Sequence, residues 1–483
     1  MPRSPNADGL LPRAAKRAQP AWTLVALAAW TLFAFAGAEL WTTVPLVAAA
    51  VLLAFVVRPR IARPPRRVLD AALAACLIVV ALQLLPLPPG LRLALSPRVG
   101  ALDQALWVGA PRDPQQAPAS PLSIDVAATS VALALAVAFV CVFWSARETL
   151  ARGGVRTVSR GIAWTGLALA AVTLAQRATA PTRLYWYFPT VFGAAFGPYR
   201  NRNDFATWVI MAIPTTVGYI AARAESRQTD RGRSVPFATL VDADAVWFAG
   251  SVSLMSAALL ASLSRSGLMG AGASLVSFLW LCRRRVGRSG RLRLLAASGL
   301  VLALALTYVQ AGALTGRLDE TLAAGIGGRQ TIWQESWAMA RDFPIIGIGA
   351  GAYGRGMLVY QQTRNGFHFN QAHNEYLQLA TEGGWLLVVP ILIALVSGAW
   401  QIASRLRADR TPIFWIRAGA ASGLVAVAIQ SIWDTGLRMP ANAVLFALLA
   451  ALALHDSERH SMVIDRDGRR SNRVVSGKTR ATN

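Results

Sequence analysis

His373 and Asn374 lie side by side in the polar stretch 327–385, which also carries Arg329 near its start and Glu382 near its end. A histidine titrates close to neutral pH, so His373 can act as a general base or hydrogen-bond a phosphate. A guanidinium is planar and permanently charged, and it grips phosphate through two parallel hydrogen bonds. Arg329 could supply one such grip. Arg265 could supply another, from the tight polar turn Ser264-Arg265-Ser266-Gly267 between two apolar runs. A charge with no loop to carry it is expensive among apolar segments, so Arg265 either snorkels to a membrane surface or points into a polar cavity and binds an anion. Asn201-Arg202-Asn203-Asp204 opens a further apolar run, with Asn203 or Asp204 as the expected helix cap. His368 is open between a structural and a functional role.

These residues need elements to position them. The chain has 483 residues, 54% hydrophobic and only 15% charged, against about 25% charged in a soluble domain. About twelve apolar runs can be drawn, nine between residues 21 and 310 and three between 384 and 455. Several reach the length needed to cross a hydrocarbon core about 30 Å thick. The expected fold is an all-α polytopic membrane protein. A formal charge of +24 invites a nucleic-acid reading, and its distribution removes it. With the N-terminus inside, 34 of the 48 Lys and Arg fall in inside segments, at least four in each. Basic residues flanking membrane helices mark the cytoplasmic face in this way.

On that map the chain divides into a cytoplasmic N-tail (1–20), nine spans (21–310), a periplasmic loop (311–383), three spans (384–455) and a basic cytoplasmic tail (456–483). Both termini are expected inside, with the lipid bilayer as surroundings and no nucleic-acid partner. The first apolar run reads as a retained helix, because no clear small-residue cleavage site follows it. Cys76, Cys141 and Cys282 lie in or beside apolar runs and offer neither a disulfide framework nor metal spacing. No metal and no cofactor is expected.

Within the large loop, the spacing predicts an amphipathic helix over Arg329–Phe343, ended by Pro344. Ile332, Trp333, Trp337 and Ala340 share one face, and Arg329, Glu335, Arg341 and Asp342 lie away from it. Gly349-Ala350-Gly351-Ala352-Tyr353-Gly354 fits G-x-G-x-x-G. No expected strand precedes it and it falls outside the cytoplasm, so it reads as a tight backbone path and not as a nucleotide loop. His373-Asn374-Glu375-Tyr376 opens a helix expected to continue into the span after Gly384, with Asn374, Gln378 and Thr381 on one side and Glu382 nearby. A polar face entering a membrane must look into protein or a water-filled cavity.

The order Arg329…Trp333…Pro344-x-x-Gly347-x-Gly349-x-Gly351…His373-Asn374-x-x-Leu377-x-x-x-x-Glu382-x-Gly384, after a long series of spans, resembles the O-antigen ligase and O-antigen polymerase superfamily of bacterial membrane glycosyltransferases. Ser264-Arg265-Ser266-Gly267 resembles that family's earlier arginine turn. Asn201-Arg202-Asn203-Asp204-Phe205-Ala206 resembles the asparagine-containing helix start of its polymerase-like members. The resemblance covers roughly residues 195–390 in motif and nearly the whole chain in topology.

It implies a GT-C-like fold and a metal-independent, inverting glycosyltransferase of the bacterial inner membrane. Such enzymes transfer a glycan from an undecaprenyl-diphosphate carrier to a hydroxyl on the periplasmic face. By the same resemblance His373 would activate the acceptor hydroxyl or assist at the diphosphate, and Arg265 and Arg329 would bind the diphosphate. Asn374, Glu382, Asn201, Asn203 and Arg202 are assigned to substrate binding. A leaving diphosphate independently needs fixed positive charge in a site shielded from water. The acceptor stays open between a glycan, lipid A-core and a protein Ser or Thr, with the Asn201–Asp204 start leaning toward polymerisation. A non-catalytic transporter would be expected to carry ionisable groups at mid-membrane depth or interrupted helices in related halves. Few such groups and no such symmetry are evident.

Overall fold

Among the described residues, the apolar runs fold as helices. A computed structural model describes residues 10–61, 67–107, 109–190, 194–231, 243–287, 329–363 and 368–455. Apart from two short antiparallel strand pairs, Pro86–Leu87 with Ser120–Pro121 and Arg183–Leu184 with Phe188–Pro189, the regular structure there is helical. The chain opens with α1 (Leu10–Phe33), α2 (Leu40–Val57) and α3 (Arg67–Leu82). Short α4 (Pro89–Leu95) and α5 (Val99–Leu106) occupy the first long polar interval. An apolar stretch of 54 residues then forms α6 (Val126–Thr149) and α7 (Val155–Thr179), broken at Leu150–Gly154 where Gly153 takes φ +113°. Next come α8 (Arg202–Arg231), α9 (Ala243–Ala261), α10 (Arg265–Cys282), α11 (329–342) and α12 (Tyr353–Tyr360). The last three are α13 (Glu375–Ala408), α14 (Ile413–Gln430) and α15 (Pro440–Ala453).

Among the described residues, six stretches are long and apolar enough to cross a membrane, fewer than the twelve or so runs drawn from sequence. One of the six holds both α6 and α7, while the apolar parts of α1 and α15 are shorter and α3 has 16 residues. The run at 294–310 lies outside the described residues. The surface is that of a protein in lipid: Val44 is 72% exposed, Phe55 71% and Val396 68%, side chains a soluble fold would bury. At the centre stands α8, packed on α14, α10, α7 and α9. Its contact with α14 is backbone on backbone, because a Cβ at Gly218 or Gly419 would overlap the carbonyl of Trp415 or Pro214. Small residues allow membrane helices this approach.

Outside the helix bundle, α11 and α12 build a second core with α5, through Met339, Phe343, Tyr353 and Met357 against Val99 and Leu102. The face of α11 follows its period at Ile332 and Ala340, which are buried, and departs from it at two positions. Trp337 is 56% exposed while Glu335 is buried, because Glu335 Oε1 accepts from the amides of Gln362 and Thr363, each at 2.9 Å, and from Thr363 Oγ1 at 2.8 Å. Those loop donors after α12 satisfy the buried Glu335 carboxylate oxygen.

Several element ends converge at one end of the bundle: the C-terminal ends of α3 and α14, and the starts of α6, α8, α10, α13 and α15. At the opposite end of α6, Arg147 forms a buried pair with Asp70 at 2.7 Å. The candidate residues all belong to the first of these ends.

Candidate active site

Two pieces make up α13. Gly384 sits at φ +55° and ψ −164°, inside what would otherwise be one helix. Trp385 N donates to Pro344 O at 2.8 Å and Leu386 N to Ile345 O at 2.9 Å, while Ile348 N and Gly349 N donate to the carbonyls of Thr381 and Glu382, each at 3.0 Å. Gly347, at φ +72°, lies so close to the Glu382 backbone that a Cβ would overlap it. The glycines therefore serve a joint between a loop and a broken helix. Gln83, fully buried just past α3, locks that joint. Its Nε2 donates to Ile346 O at 2.8 Å and Glu382 O at 2.9 Å, and its Oε1 accepts from Ala350 N at 2.9 Å. Sequence reasoning passed over Gln83, although a lone glutamine inside the apolar run 68–88 was a usable signal.

His373 precedes α13 with φ +49°, a left-handed backbone that a side-chain-bearing residue keeps only where its surroundings fix it. Asn374 caps the helix, its Oδ1 accepting from Leu377 N at 3.0 Å. Ala372 N donates to Gln378 Oε1, and Ala372 O accepts from Trp333 Nε1 of α11, both at 3.0 Å. Gln371 Oε1 accepts from Thr435 Oγ1 at 2.6 Å, and Glu375 N donates to Ser431 O at 2.9 Å. These last two contacts reach the turn between α14 and α15, which carries Asp434.

The Asp434 side chain is 1% exposed, and its Oδ1 stands 3.9 Å from His373 Nδ1. The same oxygen accepts from Thr435 N at 3.0 Å, and Oδ2 accepts from Ser266 Oγ at 3.3 Å. His373 keeps 31% of its side chain exposed, so the ring remains reachable. Asp434 is a residue the sequence reading missed. Its signal was a carboxylate in the short polar gap between the last two apolar runs.

Ser264 caps α10 by accepting from Gly267 N at 3.1 Å and donates to Asn203 Oδ1 at 2.8 Å. That bond brings together the N-termini of α8 and α10, whose first residues are the exposed Arg202 and Arg265. Asn201, instead of Asn203 or Asp204, caps α8, with Oδ1 accepting from Asn203 N at 2.9 Å. The Arg202 guanidinium interacts electrostatically with Arg265, Arg329 and Arg177, and with Asp434. Two positive helix-dipole ends and a cluster of guanidinium groups thus share one place, an arrangement that attracts anions.

On the other side of Asp434, Arg438 Nε donates to Glu375 Oε1 at 2.9 Å and Nη1 to Glu382 Oε2 at 2.6 Å. Glu382 Oε1 accepts from Gln378 Nε2 at 3.0 Å. Burial alone would lower the Arg438 pKa, but the Glu375 and Glu382 carboxylates reverse that and raise it above the ordinary arginine value. Of the residues singled out from sequence, His373, Arg265, Arg329 and Arg202 are gathered at one bundle end. Asn374, Asn201, Asn203 and Glu382 join them there with side chains engaged in hydrogen bonds within the protein. His368 is exposed. Among the described residues, no group of three or more His, Cys, Asp or Glu side chains could hold a metal ion.

Residues 250–392 match the family model described as O-antigen ligase. The match takes in Arg265, Arg329, His373, Asn374 and Glu382, and it ends before Asp434 and Arg438. No curated protein matches the chain.

Proposed function

The chain belongs, through residues 250–392, to the O-antigen ligase and polymerase superfamily, and from that premise we propose a membrane glycosyltransferase that moves a glycan from an undecaprenyl-diphosphate carrier onto an acceptor hydroxyl. The observation that carries the reading is the meeting of the His373–Asp434 pair with Arg202, Arg265 and Arg329 at one end of the bundle. The excess of basic residues in the opposite segments supports placing that end on the periplasmic face.

Asp434 faces His373 Nδ1, which leaves Nε2 to take the acceptor proton as the acceptor oxygen bonds to C1 of the donor sugar. The bond from C1 to the carrier oxygen breaks, and its electron pair passes to the diphosphate. Arg265 and Arg329 neutralise that charge as it forms, with Arg202 beside them. Attack opposite the leaving group inverts C1. Asp434 balances the imidazolium until its proton is lost to the departing diphosphate or to water. Asn374 and Glu382 contribute by holding the helix start that presents His373. The Asn201–Asp204 helix start favours extension of a lipid-linked glycan over ligation to lipid A-core or transfer to protein.

Deletion in the native host followed by glycan analysis tests the acceptor. Loss of glycan chain length supports polymerisation, whereas loss of lipid A attachment or of protein glycosylation would redirect the assignment. The chemistry is tested in membranes supplied with the lipid-linked glycan that accumulates in the deletion strain. His373→Ala is expected to cut transfer by roughly 10²–10⁴-fold, the usual contribution of a general base, without loss of protein from the membrane. Transfer retained in that variant would remove His373 as the base.

A further inference from the structure

We propose that Arg438 is a positioning residue that fastens the turn carrying His373 to the turn carrying Asp434, and so sets the separation of the two. The inference rests on the catalytic reading of that pair. Arg438 lies on the α14–α15 connection four positions after Asp434, and both its contacts are to α13. One is to Glu375, just past His373, and the other to Glu382, at the end of the first piece of α13. Both ends of that piece are therefore gripped by one guanidinium. From Glu382 the chain of bonds continues through Gln378 to Ala372 N, the amide immediately before His373. Thr435, between Asp434 and Arg438, adds its bond to Gln371.

The alternative without Arg438 is costly. Glu375 and Glu382 would be left as buried carboxylates without their guanidinium and close to Asp434, and an uncompensated buried charge drives rearrangement. The left-handed backbone at His373 persists only while these neighbours hold it. Lysine is a poor replacement, because a point charge does not span two carboxylates as the guanidinium fork does. The Glu375 arm is the less saturated of the two, since Glu375 Oε2 and Arg438 Nη2 are buried without hydrogen bonds.

The test is steady-state transfer by the full-length protein in membrane vesicles, with the lipid-linked glycan accumulated by the deletion strain as donor. Arg438→Gln is expected to lower kcat about a hundredfold while leaving donor KM within about twofold, with Arg438→Lys in between. Residues that act through one another do not lose activity independently, so Asp434→Asn/Arg438→Gln should be no slower than Asp434→Asn alone. Where Arg438→Gln fails to accumulate in the membrane, Glu375→Gln removes one arm, leaves the other, and should cost about tenfold in kcat with the same non-additivity. Losses that multiply in the double variant, or a donor KM that rises while kcat holds, overturn the inference. Full activity in Asp434→Asn would instead remove the catalytic reading beneath it, and so distinguishes the two failures.

Discussion

At Arg265 a guanidinium and an ammonium should behave differently. If Arg265 holds a diphosphate through paired hydrogen bonds, Arg265→Gln should lower kcat on the order of a hundredfold, as loss of a transition-state donor does. Arg265→Lys should recover only part of that. Normal turnover in Arg265→Lys would leave this residue as an interface anchor, because any long cation can snorkel. Arg265, Arg329 and His373 were legible because ionisable groups stand out at the edges of apolar runs. Asp434 and Arg438 were not, although they too are charged residues beside an apolar run. What selects them is their place against His373 and α13, and chain separation hides that. Glu382 was legible as a polar residue near the site, but its bond from Arg438 was not, because the two are far apart in the chain.

At the scale of elements, the joint between the 344–349 loop and α13 makes a stability prediction. Gly347→Ala adds a Cβ at a positive φ and against the Glu382 backbone, and should destabilise by roughly 2–4 kcal/mol. Gly272→Ala, on α10 with open space around the added methyl, should be near neutral or slightly stabilising. Thermal unfolding of the two variants in detergent separates them, and equal midpoints would mean the joint carries no strain. The glycines announced a tight path in the sequence, but nothing in their spacing says what the path touches. For α11 the period identified a helix and placed Ile332 and Ala340 on its buried face, but not Glu335, and it put the exposed Trp337 there. A stripe records which residues are apolar, whereas Glu335 is buried with the amides of Gln362 and Thr363 donating to it.

At the scale of the whole molecule, the helical membrane architecture was legible from composition, because a chain this apolar and this poor in charge has few soluble alternatives. The number of crossings was less so, since runs that look alike in hydropathy fold to different helix lengths, 16 residues in α3 and 34 in α13. Sidedness is tested directly: a cysteine replacing the exposed His368 should react with an impermeant thiol reagent in intact cells, and reaction only after lysis would invert the map. The break at Gly384 has a mechanical consequence. The 344–349 backbone holds both pieces of α13, accepting from Trp385 N and Leu386 N of the longer and donating to the Thr381 and Glu382 carbonyls of the shorter, so a tilt of the longer piece to match a thinner or thicker bilayer is resisted at the joint. Turnover in vesicles of different acyl length should therefore stay nearly level in the native chain. Gly384→Ala, whose Cβ would overlap the Pro344 and Ile345 backbone, should loosen that joint and make turnover follow the lipid.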